Sequence, residues 1–204
     1  GKVLRSPLPH ALITGIDTSR AKEVSGVHTV LTGADVRGVL YGRRLRDVPV
    51  LAQERVRFIG EPVAAVAAID EEVAQLALDL IEVEYEELPA IFDPLEALKE
   101  DSPILHPDVN SYLGLPQPLE KVSNVFVRNT WQTGNVANGF AQADLLIEDT
   151  FTTPTVHQAY LESHSCLVWI DENGRIQVWS SNKSPYALRQ QMADALGVPV
   201  ERIR

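Results

Sequence analysis

The chain has little cysteine, few basic residues and no long apolar run, and each shortage excludes a class of protein. Cys166 is the only cysteine in the 204 residues, so an internal disulfide is excluded and a reducing compartment is favoured. No apolar run approaches the roughly 20 residues of a membrane-spanning helix, and no secretory leader is evident. We therefore expect a cytoplasmic protein with no membrane partner.

Acidic residues outnumber basic ones, 28 to 18, which gives a net charge of −10. Because DNA and RNA attract basic proteins, this balance argues against a nucleic-acid partner. The basic cluster "GRRLRD" at 42–47 is too short to reverse that inference and is typical of a solvated loop. With 45% hydrophobic and 23% charged residues, the composition is that of an ordinary globular protein.

Residues 1–100 alternate between strand and helix patterns, with short elements predicted at 10–17, 20–26 and 27–33. The continuous apolar run "PVAAVAAI" (62–69) is typical of a strand that is buried on both faces. Acidic residues 70–72 mark a helix N-terminus, and an apolar helical stripe follows over 73–80. "IEVEYEEL" (81–88) alternates as a second strand. This order predicts a right-handed crossover in a mixed α/β domain.

Residues 101–140 have little periodicity and are predicted to form a linker over the surface. Four prolines fall within 100–120, and proline interrupts both helices and strands. One short strand is expected within 122–135, followed by a helical turn at 136–144.

Residues 141–204 are predicted to form a second module. "LLIEDTFTTP" (145–154) alternates as a strand, and "SCLVWIDENGRIQVWSS" (165–181) is a β-hairpin pattern whose Asn-Gly pair supplies positive φ angles. A helix follows, with Ser184 as N-cap and Gly197 just past its end. Its expected inner face consists of Leu188, Met192, Ala195 and Leu196. The final "RIR" (202–204) opens a new strand, so we expect the chain to be part of a longer protein.

The densest polar group lies at 155–166 and contains His157, Glu162, His164 and Cys166. In a strand, His157 would face away from the other three, because side chains alternate. Helical spacing does not bring them together either, and no second His/Cys cluster completes a zinc shell. We expect packing and hydrogen bonding here rather than metal binding. Residue chemistry alone predicts no catalytic machinery, since phosphate-loop and nucleophile-elbow motifs are also lacking.

Five segments, in order and spacing, resemble a known family. The first four are "GKVLRSPLPHALITGIDTSRA", "SGVHTVLTGADV", "VRFIGEPVAAVAAID" and "LIEVEYEELPAIFDPLEAL". They are similar to the α/β-hammerhead domain of the molybdenum-binding large subunits of the xanthine dehydrogenase and aldehyde oxidase family. The fifth, which runs from 139 to 199, resembles the start of that family's first molybdopterin-binding domain. The resemblance implies a hammerhead domain at 1–100, a linker at 101–140 and a truncated cofactor domain at 141–204.

The resemblance also implies a chemistry for the parent enzyme. Family members bind molybdenum through a pterin dithiolene, and they hydroxylate aldehydes or heteroaromatic carbons with oxygen from water. Relatives act on carbon monoxide or on an aromatic acyl thioester. Electrons leave through iron–sulfur clusters towards flavin, so iron–sulfur and FAD subunits or domains are the expected partners, together with further molybdopterin-binding domains. The catalytic glutamate and the glycine-rich loops of the family lie beyond Arg204, so no catalytic residue is assigned.

Lys183 is the one residue that the resemblance proposes for cofactor binding. Many members carry the pattern T-S-T-Q-S-P after the hairpin, with a glutamine that approaches the molybdenum oxo group. Residues 180–185 read "SSNKSP" here, so a lysine stands where that glutamine would be. Lysine only donates hydrogen bonds, whereas glutamine also accepts them. Lys183 either stabilises negative charge on a ligand or is a solvated residue before the helix.

Three hypotheses follow for the function. The first is a fragment of a molybdenum hydroxylase large subunit, inactive by itself and without tightly bound cofactor, which we expect to self-associate through apolar surface around 145–204. The second is a stand-alone, non-catalytic interaction or assembly module of the same fold. The third is binding of a small anion by Lys183 and the N-terminus of the helix that Ser184 caps.

Overall fold

The structure is a computed structural model that describes residues 1–125 and 127–204, and its mixed α/β class is the one predicted. The strands are β1 Lys2–Arg5, β2 Ala11–Asp17, β3 Val27–Thr32, β4 Leu40–Tyr41, β5 Val48–Pro49, β6 Arg55–Val56, β7 Pro62–Ala68, β8 Glu82–Glu87, β9 Cys166–Ile170 and β10 Ile176–Ser180. The helices are α1 Ser19–Lys22, α2 Glu71–Asp79, α3 Pro94–Ala97, α4 Val136–Gln142 and α5 Pro185–Leu196. Within this described part, no helix has the length and apolar character needed to cross a membrane.

The first module contains two antiparallel sheets of three strands, together with the short antiparallel pair β4–β5. The strand orders of the two sheets are β1–β7–β3 and β6–β2–β8. Strand β7 contributes to both apolar clusters: Val63 packs with the second sheet, whereas Ala64 and Val66 pack with α1 and α2. The predicted strand that is buried on both faces is therefore confirmed for Pro62–Ala68, whereas Ile69, the last residue of the predicted run, is 64% exposed.

The predicted crossover from β7 through α2 to β8 is wrong. β7 pairs antiparallel with β1 on one edge and with β3 on the other, while β8 pairs antiparallel with β2. A strand has only two edges, so β8 has no place beside β7 and joins the other sheet. Periodicity identifies each element but does not determine which strands pair.

Helix α2 packs closely on its sheet because its inner face consists of small side chains. Asp70 caps the N-terminus, where its Oδ1 accepts a hydrogen bond from the Val73 N–H at 2.8 Å. Ala74 and Ala77 are fully buried and belong to the same cluster as Ala64 of β7. The acidic first turn is thus confirmed, but the apolar stripe predicted as Val73, Leu76, Ala77 and Leu80 is partly wrong, because Leu76 is 55% exposed. The buried face of the helix consists of Ala74, Ala77 and Leu78.

The segment between the two modules is largely irregular, as predicted. The expected helical turn at 136–144 is α4. No strand forms at 122–125 or 127–135, and the rest of that expected strand lies outside the described residues. The strand predicted at 145–154 is also wrong: this segment is exposed and unpaired. Alternation favours a strand, but a strand also needs a neighbour with which to exchange backbone hydrogen bonds.

The predicted hairpin is confirmed as β9 and β10, which pair antiparallel with Ile170 opposite Ile176. Gly174 alone supplies the left-handed conformation of the turn, with φ +73°. The Gly174 N–H donates to the Asp171 carbonyl oxygen at 2.9 Å, and the Asp171 N–H donates to that of Arg175 at 2.9 Å. The expectation that Asn173 shares the positive φ is wrong.

Helix α5 has the predicted boundaries, with Ser184 at the N-cap position and Gly197 just past the end. The Ser184 side chain makes no capping bond; instead, the Asn182 Oδ1 accepts from the Ser184 N–H at 2.7 Å. The predicted inner face is partly wrong, because Ala193 is the buried residue and Leu196 is 54% exposed.

After α5, the chain returns to the sheet of the hairpin. Ile203 bridges in parallel to Ile176 of β10. The Arg204 N–H donates to the Ile176 carbonyl oxygen at 2.9 Å, and the Val178 N–H donates to the Arg204 carbonyl oxygen at 2.7 Å. The predicted start of a strand at 202–204 therefore pairs with β10, with α5 as the connection.

Candidate functional site

The segment 180–184 connects β10 to α5 and carries the residue that the sequence singled out. Ser180 and Asn182 line a cavity of about 560 Å³ between β10 and α5. Lys183 is exposed and is not among the residues that line this cavity. Its ammonium group forms no ion pair with any residue of the described chain.

The lining of this cavity combines apolar side chains with three arginines and one acidic residue, Glu201. The apolar lining residues include Val178, Leu188, Met192 and Ile203, and the arginines are Arg175, Arg189 and Arg204. Small-molecule sites in proteins are typically apolar pockets with a few directed polar groups. The cavity therefore has the character of a binding surface, and Ser180 and Asn182 form part of its lining.

The polar group at 155–166 does not come together as a metal site. The His157 Nδ1 accepts a hydrogen bond from the Ala159 N–H at 2.9 Å. The Tyr160 ring lies between two histidines, with ring centroids 5.3 Å from His157 and 5.5 Å from His164. Within 1–125 and 127–204, no three His, Cys, Asp or Glu side chains are grouped so that they could hold a metal ion.

The basic cluster 42–47, interpreted from sequence as a solvated loop, lies against α5. Arg46 Nη2 is 2.6 Å from Asp194 Oδ2, and both side chains are more than half buried. The Arg46 N–H also donates to the Leu113 carbonyl oxygen at 2.8 Å. We call this meeting point of 42–46, 113–114 and α5 the junction. It joins the two modules, and the sequence contains no local signal for it.

Glu61 is a second feature without a local sequence signal, because the Gly-Glu-Pro sequence at 60–62 is typical of a turn. Its side chain is only 4% exposed, and Oε2 accepts a hydrogen bond from the Arg57 N–H at 2.5 Å. Burial raises the pKa of the Glu61 carboxyl group above its ordinary value. The backbone of the same residue joins the 57–61 turn to the N-terminal segment, since the Ser6 N–H donates to the Glu61 carbonyl oxygen at 2.9 Å.

Replacing Glu61 with glutamine is expected to flatten the pH dependence of stability. Because the pKa of Glu61 is higher in the folded state, its contribution to stability is fully present below the unfolded pKa and is lost as pH rises through the folded one. As the pH is raised from 4 to 7, the free energy of unfolding measured in urea should therefore fall more, or rise less, for the wild type than for Glu61→Gln. Glu86→Gln, at an exposed site, serves as the control. Identical pH profiles for wild type and Glu61→Gln would contradict the argument.

Two family models match consecutive parts of the chain, and the second match begins within the predicted linker. Residues 1–89 match the "Aldehyde oxidase and xanthine dehydrogenase, a/b hammerhead domain", and residues 118–204 match the "Molybdopterin cofactor-binding domain". The chain belongs to the aldehyde oxidase and xanthine dehydrogenase family. The resemblance seen in the five sequence segments is thereby confirmed.

Curated relatives in this family match over essentially the whole chain. A probable xanthine dehydrogenase subunit of Bacillus subtilis is 35% identical over 100% of this chain and 26% of its own length. The "Nicotinate dehydrogenase large molybdopterin subunit" of Eubacterium barkeri is 34% identical over 99% of this chain and 44% of its own length. The chain thus spans about a quarter to less than half of these relatives.

The fold agrees with solved structures of the family. The CO dehydrogenase from Oligotropha carboxidovorans superposes with a TM-score of 0.80 and 31% identity, over 99% of this chain and 26% of that one. A match to the hammerhead domain is therefore followed, in the same chain, by a match to the molybdopterin cofactor-binding domain.

Proposed function

We propose that this chain is part of the molybdenum-cofactor subunit of a molybdenum hydroxylase. The reaction would hydroxylate an aldehyde or heteroaromatic carbon with oxygen from water, or be a related oxidation of carbon monoxide or reaction of an aromatic acyl thioester. The observation that carries this proposal is the presence of both family domains, in order, on one chain. The chemistry of relatives named for xanthine, nicotinate and CO supports it.

The proposed organisation is a hammerhead domain at 1–100, a linker at 101–140 and the start of the cofactor domain at 141–204. Because the relatives are much longer than this chain, we propose further molybdopterin-binding domains and iron–sulfur and FAD subunits or domains as its partners. By itself the chain should be inactive and should not hold the cofactor tightly, because a buried cofactor needs contacts from every side.

The residues around 180–184 fit one side of a molybdenum cofactor site. Asn182 is oriented by its bond to the Ser184 N–H, and Lys183 offers three N–H donors from an exposed position without an ion-pair partner in the described chain. When bound, the molybdenum cofactor supplies the two-electron redox chemistry. The part of Lys183 would be to donate hydrogen bonds to an anionic oxygen and to stabilise its charge.

Replacing Lys183 with methionine is expected to lower kcat of the native molybdenum enzyme by at least about tenfold, the effect of losing one charge-assisted hydrogen bond. Lys183→Gln should keep part of the activity, because glutamine also donates. Molybdenum content, measured by mass spectrometry, should be near one atom per subunit in the wild type and in both variants. Lys121→Met, which removes a surface ion pair with Glu100, is the control.

Molybdenum content tests the proposed function, and kcat tests the proposed role of Lys183. Wild-type enzyme without molybdenum would overturn the proposed function itself. Full molybdenum with unchanged kcat in Lys183→Met would instead show that Lys183 is a solvated residue before α5.

A further inference from the structure

The junction borders a second, open cavity, of about 450 Å³, on the side of α5 that faces the hammerhead domain. The loop 42–46 and residues 113–114 form one wall, and Ala187, Gln190, Gln191 and Asp194 of α5 form the other. Ala187 is short, which leaves space between the walls. This cavity is separate from the one beside Lys183, which lies between α5 and β10.

The charges around this cavity are not balanced. Three arginines line it, at 43, 44 and 46, and Asp194 is its only acidic lining residue within the described part of the chain. Both oxygens of Asp194 are already engaged: Oδ2 pairs with Arg46 at 2.6 Å, and Oδ1 accepts from the Gln190 Nε2 at 3.0 Å. Arg43 and Arg44 have no ion pair or side-chain hydrogen bond with the residues that the structure describes. The guanidinium groups of Arg43 and Arg44 thus lack an anionic partner among the described residues, although the net charge of the protein is −10.

The backbone that carries these arginines is held in place. Gly114 has φ +96°, and a Cβ atom there would lie 1.8 Å from the Arg44 carbonyl oxygen, so the two backbones are in direct contact. On the other side, the Arg46 N–H is bound to the Leu113 carbonyl oxygen at 2.8 Å. A loop fixed by backbone contacts loses less conformational entropy on binding than a free one.

We propose that the junction cavity binds a small polyanion with at least two anionic oxygen groups, of the phosphate or carboxylate type. Arg43 and Arg44 would supply the charge, and the amide of Gln191 would add a donor. Guanidinium groups suit such ligands because their planar N–H donors match two oxygens of a phosphate or carboxylate. The proposal is independent of the molybdenum chemistry and of Lys183.

The test is isothermal titration of the native protein that contains this chain with pyrophosphate, and separately with citrate, in a low-salt buffer free of other oxyanions. Binding is expected at one site, weakening as NaCl is raised. The double variant Arg43→Gln/Arg44→Gln should weaken it by at least about tenfold. A preference for pyrophosphate or for citrate then identifies the phosphate or the carboxylate type as the natural ligand group.

Two variants serve as matched controls. Arg37→Gln removes a surface arginine that pairs with Glu54 and does not line the cavity, and Lys183→Gln removes the cation at the other candidate anion site. Both should bind pyrophosphate like the wild type, and circular dichroism should show that all variants are folded. Failure of both probes to bind, unchanged affinity in the double variant, or loss of binding in Lys183→Gln would each overturn the proposal.

Discussion

Replacing Gly33 with alanine is expected to destabilise the hammerhead domain by about 3 kcal/mol or more. A Cβ atom at this position would lie 2.2 Å from the Ala52 carbonyl oxygen and 2.8 Å from the Gln53 Cα, and both are backbone atoms. Ala52 cannot move aside easily, because it is fully buried and its N–H donates to the Pro62 carbonyl oxygen at 2.7 Å. Added methyl groups in such places force backbone shifts.

Urea unfolding followed by far-ultraviolet circular dichroism measures this effect. Gly139→Ala is the matched control, since Gly139 lies in α4 and a Cβ atom there would meet nothing within 4 Å. Alanine in that helix should be neutral or stabilising by up to about 1 kcal/mol. Equal unfolding midpoints for Gly33→Ala and the wild type would show that the backbone at Ala52 yields at little cost.

Ala77→Leu is expected to cost about 3 kcal/mol, at the upper end of the range for overpacked cores. Ala77 is fully buried in the cluster between α2 and the first sheet. Neighbouring Ala21, Ala64 and Ala74 are equally buried, so the helix would have to lift off the strand to accommodate the larger side chain.

Gln75→Leu places the same side chain on the exposed side of α2 and is the control. It removes an exposed hydrogen bond to Asp79, so a change within about 0.5 kcal/mol is expected. If both leucine variants unfold at the same urea concentration, α2 is not packed as closely as its buried alanines indicate.

The elements that could be predicted from sequence are those whose signals are local. The hairpin β9–β10 depends on a turn glycine, Gly174, and on two β-rich arms that lie next to each other in the chain. Helix α2 is marked by its N-cap and its apolar stripe. In each case the residues that specify the structure lie close together in the chain, so their pattern can be recognised in the sequence without knowledge of the tertiary structure.

The features that could not be predicted depend on distant parts of the chain. The edges of β7 are taken by β1 and β3, which no periodicity reveals. The alternating segment 145–154 lacks a pairing partner and stays exposed. The burial of Glu61 and the ion pair of Arg46 with Asp194 likewise arise only when segments far apart in sequence pack together. For the candidate site, Lys183 remains a prediction from the family pattern, and the sequence had no signal for the junction cavity.

The strand order of the two sheets also has a consequence for synthesis on the ribosome. β1 pairs with β7, and β2 pairs mainly with β8. Neither N-terminal strand can complete its pairing until residues 62–87 have been synthesised. At about 5–20 residues per second, the roughly 65 residues between β2 and β8 take about 3 to 13 s to be made. During that interval the nascent chain carries apolar strands without partners, so the hammerhead domain should depend on chaperone protection while it is being translated.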